Sequence, residues 1–405
     1  MELPRDPIVY GPELIEDWPA FENWRIIESS SSTSTTRPDF NHLRSHYGHH
    51  VVQVANTKRR QFNEFERTER PLKDVIDSWV AGDAEGDGLY VKDWHLALQL
   101  EDEGGKQEDF YKTPEIFQGE YPLNTYYNGY TDDWMTHHAL SLDPRNDYRF
   151  TYMGPKGTFT PLHRDVYGSY SWSSNIIGRK RWWLIPPAIK HRFHKHAGPH
   201  GPGEPEMLFD LRELSDQDAL DGVVIIEQAP GETIHVPSGW YHQVENLEFC
   251  ISINHNYANS HIIRNIYDNL LASLCRVEES IADILPLLKQ RLGSEKAFSF
   301  TDGESREDIF CWEVEWVDEV QKVLEMDAGW ALAVFWDMVL YNLEVSDRSS
   351  PPAPPELRPA DDYVASQILP IIYDYKNRRE WKVLGDTRAT VLKAEAIVIA
   401  MQNDI

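Results

Sequence analysis

Three side chains of metal-ligand type stand at two separate places in the chain. His163 and Asp165 close the segment 157–165, and His242 closes the segment 237–242. In an extended strand, residues i and i+2 point the same way, so His163 and Asp165 can reach one ion. Two imidazoles and one carboxylate on one face, with coordination positions left open, are typical of non-haem Fe(II) oxygenases. The pattern predicts an oxygenase centre, and three ordinary hydrogen-bonded side chains are the alternative.

A lysine in a strand-like segment extends this interpretation. Residues 178–187 alternate as a strand, with Lys180, Trp182 and Leu184 on one face. A lysine inside a barrel is costly to bury unless it meets an anion. Lys180 is therefore predicted to hold the far carboxylate of a dicarboxylate co-substrate whose other end chelates the metal, with Thr160 placed to share it. A surface ion pair is the alternative for Lys180.

The elements that must position these residues are predicted to be short strands. The region from about Asp147 to Asn259 is strand-rich, and Val223–Ile226 is apolar enough to be buried on both faces. Before it, the sequence predicts a strand at 50–54, an amphipathic helix at 71–80, and a mobile loop in the Ser/Thr run 29–36. We expect the metal ligands to lie on the central strands.

Helical periodicity dominates the remainder of the chain. The ranges with this pattern, separated by a Pro-rich linker at 346–359, are 262–291, 308–343, 361–375 and 388–401. Apolar stretches are too short for the roughly eighteen residues of a membrane span. The longest, Trp330–Tyr341, contains Asp337 and predicts a buried helix.

The chain resembles the Jumonji-C family of 2-oxoglutarate-dependent oxygenases, and within it the Jumonji-domain-containing protein 4 group most of all. The stretches that carry the resemblance are 148–154, 160–166, 169–182, 237–247 and 251–256. It implies an α+β fold: a double-stranded β-helix (jelly-roll or cupin-like) barrel with N-terminal α/β elements and a C-terminal helical region. We expect an N-terminal extension at 1–85, a catalytic core at 86–260 and a helical region at 261–405.

The resemblance also implies roles for individual residues. It makes His163, Asp165 and His242 the Fe(II) ligands and Lys180 the partner of the 2-oxoglutarate C5 carboxylate. Further co-substrate neighbours by likeness are Thr160, Tyr90 and Asn254. At Ser173 many members of the family have asparagine, so this serine changes the local hydrogen bonding of the co-substrate site.

The activity implied by the resemblance consumes O2 and 2-oxoglutarate and releases succinate and CO2. The substrate implied is a lysine side chain of the translation termination release factor, hydroxylated on carbon. Demethylation of N-methyl-lysine in histones or other proteins is the alternative reaction, because both begin identically. A catalytically inert cupin-like binding scaffold is the alternative of another class, although it would not need all four of His163, Asp165, His242 and Lys180.

Composition narrows the partners and the compartment. The formal net charge of −27 argues against binding nucleic acid or an anionic membrane and suits a basic, lysine-containing protein partner, although it could serve solubility alone. Cys250, Cys275 and Cys311 form no disulfide framework, which favours a reducing compartment. The first residues lack a signal-peptide pattern. We expect a cytoplasmic protein, with the nucleus as a further location.

Other histidines and tryptophans are secondary candidates. His191, His194, His196 and His200 suggest zinc, but their Gly/Pro-rich segment favours a flexible insertion. The pairs His49-His50 and His137-His138 favour ordinary loop or strand positions. Trp172 and Trp240 are candidate pocket walls. A homodimer through the C-terminal helices is one expectation, with Trp312, Trp316 and Trp336 on its surface; a monomer is the alternative.

Overall fold

The structure is a computed structural model with two large β-sheets, two further two-stranded sheets and a group of helices. It describes residues 5–29, 34–61, 64–82, 85–117, 133–136, 138, 147–195, 207–214, 217–298, 308–348 and 359–403. Every statement below about the architecture concerns these residues.

Sixteen strands lie within the described residues, and every hydrogen-bonded pair of them is antiparallel. Numbered β1 to β16 in chain order, they are Ile8–Tyr10, Arg25–Ser29, Ser34–Pro38, Val51–Gln61, Glu64–Pro71, Leu89–Trp94, Arg149–Gly154, Phe159–Arg164, Tyr170–Ile177, Lys180–Ile185, Val224–Gln228, Thr233–Val236, Tyr241–Asn246, Cys250–Tyr257, Lys296–Phe298 and Asp308–Phe310.

The two main sheets form the walls of the barrel. The larger has eight strands in the order β1-β12-β9-β14-β7-β6-β4-β5, and the smaller has four in the order β11-β10-β13-β8. One cavity is lined by side chains from both sheets, so they face each other across it. Alternating side chains fill such an interior from both walls. The fold is the expected α+β jelly roll.

The N-terminal strands are part of the larger sheet. β1 pairs with β12 through Ile8 and His235, and β4 pairs with β6 through Val54 and Val91. β6 in turn pairs with β7 of the central region. The backbone hydrogen bonds are therefore continuous across position 85, where sequence analysis placed a boundary.

Eleven α-helices lie within the described residues, and most of them follow the barrel. Numbered α1 to α11, they are Pro19–Asn23, Phe40–Tyr47, Leu72–Ala81, Leu96–Asp102, Ile263–Ser280, Ile284–Leu292, Cys311–Ala328, Leu332–Arg348, Asp361–Lys376, Arg379–Val383 and Gly385–Asn403. A helix break at Gly329, which has a φ of 77°, separates α7 from α8. A search of the described residues finds no helix with the length and hydropathy needed to span a membrane.

Two expectations about local structure are wrong. The Ser/Thr run is not wholly a loop, because its last residues belong to β3, where Thr36 pairs with Ile27; residues 30–33 lie outside the described part. β-branched threonines suit an extended strand despite their polarity. The stretch 223–226 is not buried on both faces: Val224 and Ile225 are 38% and 50% exposed, because β11 is an edge strand of the smaller sheet.

The tryptophans proposed for a dimer surface are mostly internal. Trp316 and Trp336 are buried in the main apolar core together with residues of the barrel, and Trp312 packs against that core while remaining partly exposed. Trp316 and Trp336 therefore belong to the core and are not exposed for contact with a second copy, and the homodimer stays a prediction.

A buried arginine joins an N-terminal helix to the barrel. Arg149 of β7 is 3% exposed, and its Nη1 and Nη2 donate to the two carboxylate oxygens of Glu101 in α4 at 2.7 and 2.9 Å. Its Nε donates to Asp147 Oδ1 at 2.6 Å. Such two-pronged pairs are strong and directional.

We expect Arg149→Ala to lower the free energy of unfolding by about 3–5 kcal/mol, because it leaves the buried carboxylate of Asp147 and the partly buried carboxylate of Glu101 without their cation. The control is Arg264→Ala, which removes an exposed i,i+4 pair with Asp268 and should cost less than about 1 kcal/mol. Chemical denaturation of both variants measures the difference. Equal losses of unfolding free energy in the two variants would contradict the conclusion that buried Arg149 joins α4 to the barrel.

Candidate active site

Strand pairing brings two of the proposed ligands together. In the register of β8 and β13, His163 lies directly opposite His242, and their ring centroids are 4.2 Å apart. β8 ends at Arg164, so Asp165 stands at the first position beyond the strand, where a 3-10 turn begins. Each of the three residues offers one possible ligand atom: a ring nitrogen of His163 and of His242, and a carboxylate oxygen of Asp165. These three atoms lie within 4.8 Å of one another.

The protonation of the histidines suits a metal. Burial and then the neighbouring His242 lower the pKa of His163 to about 3, and burial lowers the pKa of His242. Both rings are therefore neutral near pH 7, which is the form that binds a cation. The Nδ1–H of His163 donates to the carbonyl of Pro161 at 2.8 Å, which leaves Nε2 as its metal donor.

The third ligand is also oriented by a neighbour. The hydroxyl of Ser171 on β9 donates to Asp165 Oδ2 at 2.7 Å. A hydrogen-bonded carboxylate beside two neutral imidazoles is the donor set of the facial triad, which leaves coordination positions for a co-substrate and dioxygen. The residues present therefore fit Fe(II).

These ligands line one cavity with most of the other residues that sequence analysis selected. Its lining residues are Tyr90, Tyr152, Thr160, His163, Asp165, Ser171, Lys180, Trp182, His242, Val244, Asn254 and Asn256. They come from β6, β7, β8, β9, β10, β13 and β14, with Asp165 just beyond β8. The cavity is therefore shared by both sheets.

Lys180 is a buried cation without a matching anion. It is 2% exposed, and its Nζ donates to Ser252 Oγ at 2.6 Å. No carboxylate of the described residues pairs with it, and burial lowers the pKa of Lys180 to about 8. An isolated charge in such a place is costly. A ligand carboxylate would supply the missing partner, which fits a dicarboxylic co-substrate.

Polar groups around Lys180 complete the co-substrate pocket. Tyr90 is 2% exposed, and burial raises the pKa of its hydroxyl, so it remains a neutral hydrogen-bonding group. Asn254 Oδ1 accepts from Ser173 Oγ and Ser252 Oγ, each at 3.0 Å, so its amide N–H groups are the donors left for a ligand. Ser173 does not line the cavity; it orients Asn254 from behind.

Several lining residues were not singled out from the sequence. They are Tyr152, Ser171, Val244 and Asn256. Val244 and Asn256 stand two residues from His242 and Asn254, so the period of a strand could have revealed both. Ser171 stands two residues from Ser173 on β9 and could have been found in the same way, whereas Tyr152 carried no such signal. Conversely, Trp172 and Trp240 are buried elsewhere and do not line the cavity, and Trp182 forms its aromatic wall.

Those secondary histidine candidates that the structure describes form no comparable site. His196, His200 and His137 lie outside the described residues. His49 and His50 form a second cluster with Glu103, whose Oε1 lies 3.0 and 3.2 Å from their Nε2 atoms. His49 and Glu103 are exposed, and the buried Nδ1 of His50 has no partner that would fix its ring. The cluster is explained as two histidines that share one carboxylate oxygen through hydrogen bonds.

Comparison with known proteins agrees with this geometry. Residues 150–257 match the family described as "JmjC domain, hydroxylase". The chain is 36% identical over 293 residues to the arginine-specific demethylase JMJ20 of Arabidopsis thaliana, with 69% of this chain and 58% of that protein covered. It is 35% identical over 289 residues to the human 2-oxoglutarate and iron-dependent oxygenase JMJD4, with 69% and 63% covered.

A more distant relative is the bifunctional arginine demethylase and lysyl-hydroxylase psr-1 of Caenorhabditis briggsae. It is 27% identical over 274 residues, which cover 65% of this chain and 59% of that protein. The chain thus spans about three fifths of the length of the curated relatives it matches.

We expect the affinity for 2-oxoglutarate to depend on pH through Lys180. Below a pKa of about 8 the lysine is charged and attracts the carboxylate; above it the ligand-free lysine is neutral. The dissociation constant should therefore rise by about tenfold for each pH unit above 8, until the pKa of the ligand-bound lysine is reached. Anaerobic calorimetric titration of the metal-loaded protein between pH 7 and 9.5 measures this.

Lys180→Arg is the matched control, because arginine stays charged across this range. Its dissociation constant, even if weaker overall, should be independent of pH. A flat profile for the unsubstituted chain, or the same slope in Lys180→Arg, would show that Lys180 does not hold the carboxylate.

Proposed function

Because this chain carries a JmjC domain and belongs to that family, we propose that it is an Fe(II)- and 2-oxoglutarate-dependent protein oxygenase that hydroxylates a lysine side chain on carbon. One observation carries the proposal: His163, Asp165 and His242 share a cavity with a buried lysine that has no carboxylate partner among the described residues. A metal site alone would not need that lysine.

The proposed roles follow from the cavity. His163, Asp165 and His242 would hold the iron, and Lys180 would hold the far carboxylate of 2-oxoglutarate, with Thr160, Tyr90 and Asn254 as hydrogen-bonding neighbours. When bound, iron and 2-oxoglutarate together supply the power to insert one oxygen atom of O2 into a C–H bond, with succinate and CO2 as the other products.

The chain's own contribution is orientation and exclusion of water. Lys180, His163 and His242 lie on paired strands of one sheet, and Asp165 directly follows β8, so the sheet fixes the separation of the lysine from the ligands. Trp182 and Val244 add apolar walls between them. Ser171 and the carbonyl of Pro161 keep Asp165 and His163 in their ligand orientations.

We propose the translation termination release factor as the substrate, on the strength of the likeness to the Jumonji-domain-containing protein 4 group. A cytoplasmic location, with a further nuclear pool, is proposed because Cys250, Cys275 and Cys311 form no disulfide framework. Demethylation of N-methyl groups on a protein is the second candidate reaction, favoured by the name of the plant relative. The retained ligand set and Lys180 argue against an inert scaffold.

A pocket beside the ligand turn supports a basic protein partner. It has a volume of about 200 Å³, and its walls include Arg164 and Val166 on either side of Asp165, and Asp327 and Ala328 from the end of α7. The carboxylate of Asp327 and the negative end of the α7 dipole favour a cationic side chain here, whereas the guanidinium of Arg164 opposes one. The net charge of −27 acts in the same direction.

The activity is tested by incubating the full chain with Fe(II), ascorbate, 2-oxoglutarate and a lysine-containing release-factor fragment. We expect succinate to form and the intact mass of the fragment to rise by one oxygen atom. Asp165→Ala should abolish both, because one ligand of the triad is lost. Loss of a methylene from an N-methylated fragment would instead support demethylation.

Contrary outcomes are well defined. If the chain binds neither metal nor 2-oxoglutarate, the scaffold alternative is correct. If succinate forms equally in Asp165→Ala, the ligand assignment is wrong.

The basic-partner proposal predicts a separate effect of Asp327. We expect Asp327→Lys to raise KM for a basic lysine peptide by about tenfold while kcat stays close to that of the unsubstituted chain, since Asp327 would act on binding alone. Asp318→Lys makes the same charge change at another exposed position of the same helix, about half a rotation away by the helical repeat. An equal rise in KM for both variants would indicate a general charge effect and exclude a specific contact.

A further inference from the structure

The ligands Asp165 and His242 are each adjacent to a turn, and these turns touch each other. Asp165 is followed by the 3-10 turn Val166–Gly168, and His242 is preceded by the turn at 237–240. The hydroxyl of Ser238 in the second turn donates to the carbonyl of Gly168 in the first at 2.6 Å. A shift of one turn would therefore be felt by the other.

Both turns are also bound to one helix of the C-terminal region. In α5, Asn265 Nδ2 donates to Ser238 Oγ at 3.2 Å, and Asn269 Nδ2 donates to the carbonyl of Tyr167 at 3.3 Å. The two asparagines are one helical turn apart and therefore lie on the same face of α5. That face thus holds the two turns that flank the ligands.

The contact with Asn269 is a close one. Gly168 has a φ of 68°, and a Cβ atom at this position would lie 2.2 Å from Asn269 Nδ2. Only glycine allows both this backbone conformation and this approach. The turn is thus shaped to receive the asparagine side chain.

Tyr167 is held in a conformation that it would not adopt alone. Its φ is 57°, one of two positive values among the non-glycine residues that the structure describes. Its ring stacks on Trp330 at 3.7 Å between centroids and an angle of 14°, and Trp330 Nε1 donates to the hydroxyl of Tyr148 at 2.8 Å. Strained residues of this kind persist where their surroundings over-determine them, and they cluster at functional sites.

We propose that Asn265, Asn269 and Trp330 are positioning residues, through which the helical region fixes the turns that present Asp165 and His242 to the metal. The proposal rests on the proposed function, because iron is the ion toward which these residues would position Asp165 and His242. The barrel supplies the ligands, and the helices after it hold two of them in register. The alternative is that α5 and Trp330 only cover the apolar core.

Metal binding separates these alternatives without requiring turnover. The variants are Asn269→Ala, the double variant Asn265→Ala/Asn269→Ala, and Trp330→Ala, with Trp330→Phe as the conservative variant that retains a stacking ring. Each is titrated with Co(II) as the probe, by calorimetry and by visible absorption of the bound ion. We expect the dissociation constant to rise by about tenfold, the size of effect found when supports of metal ligands are removed.

A buried asparagine of the same helical region supplies the matched control. Asn342 of α8 donates to the carbonyls of Trp134 and Met338, away from both turns. Asn342→Ala should lower Tm but leave the Co(II) affinity and absorption spectrum unchanged. Asn269→Ala should change both the Co(II) affinity and the absorption spectrum. Trp330→Phe should restore most of the Co(II) affinity that Trp330→Ala loses.

The proposal is overturned if Asn269→Ala lowers Tm while binding Co(II) as the unsubstituted chain does, or if Asn342→Ala weakens Co(II) binding equally. Failure of the proposed function looks different. Weaker Co(II) binding by Asn269→Ala, in a chain that forms no succinate in its unsubstituted form, supports the positioning role and contradicts the oxygenase activity.

Discussion

The antiparallel pairing of β8 with β13 is the constraint on which the site depends. It sets His163 opposite His242 across one pair of strands, so two donors distant in sequence come within reach of one ion. Asp165 is the first residue after β8 and lies two positions beyond His163 in the chain. A register shift of one residue would turn one histidine away from the other. The metal chemistry is thus a consequence of backbone hydrogen bonding.

The second determinant is a charge left without a partner. Lys180 lies two strands from β8, in a cavity where burial disfavours its ammonium group and no described carboxylate compensates. Burying such a charge in the barrel lowers the stability of the folded protein unless a bound anion compensates the charge. We interpret the lysine as a feature selected for binding, which explains why a barrel with ample apolar residues keeps it inside.

The helical region is more than a cover. Its residues meet the barrel at the turns beside Asp165 and His242, through Asn265, Asn269 and the stack of Trp330 on Tyr167. The same junction borders the pocket that contains Asp327. Ligand support and the proposed approach of a basic substrate therefore involve the same helices. Trp316 and Trp336 lie in the apolar core to which these helices and the barrel both contribute.

Residue type and spacing predicted the chemistry of the site. The spacing of His163, Asp165 and His242 and the strand period around Lys180 were enough to predict a metal and an anionic co-substrate, because these depend on local alternation and donor type. The jelly roll was predicted from the resemblance to the Jumonji-C family. Tertiary structure alone decided what depends on neighbours distant in the chain. Ser173 hydrogen-bonds to Asn254 and does not line the cavity, and β11 is an edge strand. Trp182, and not Trp172, forms the aromatic wall of the cavity. Asn269 contacts the carbonyl of Tyr167. These contacts depend on strand order and helix packing. No short stretch of sequence is enough to predict either, because both involve residues that are distant in the chain.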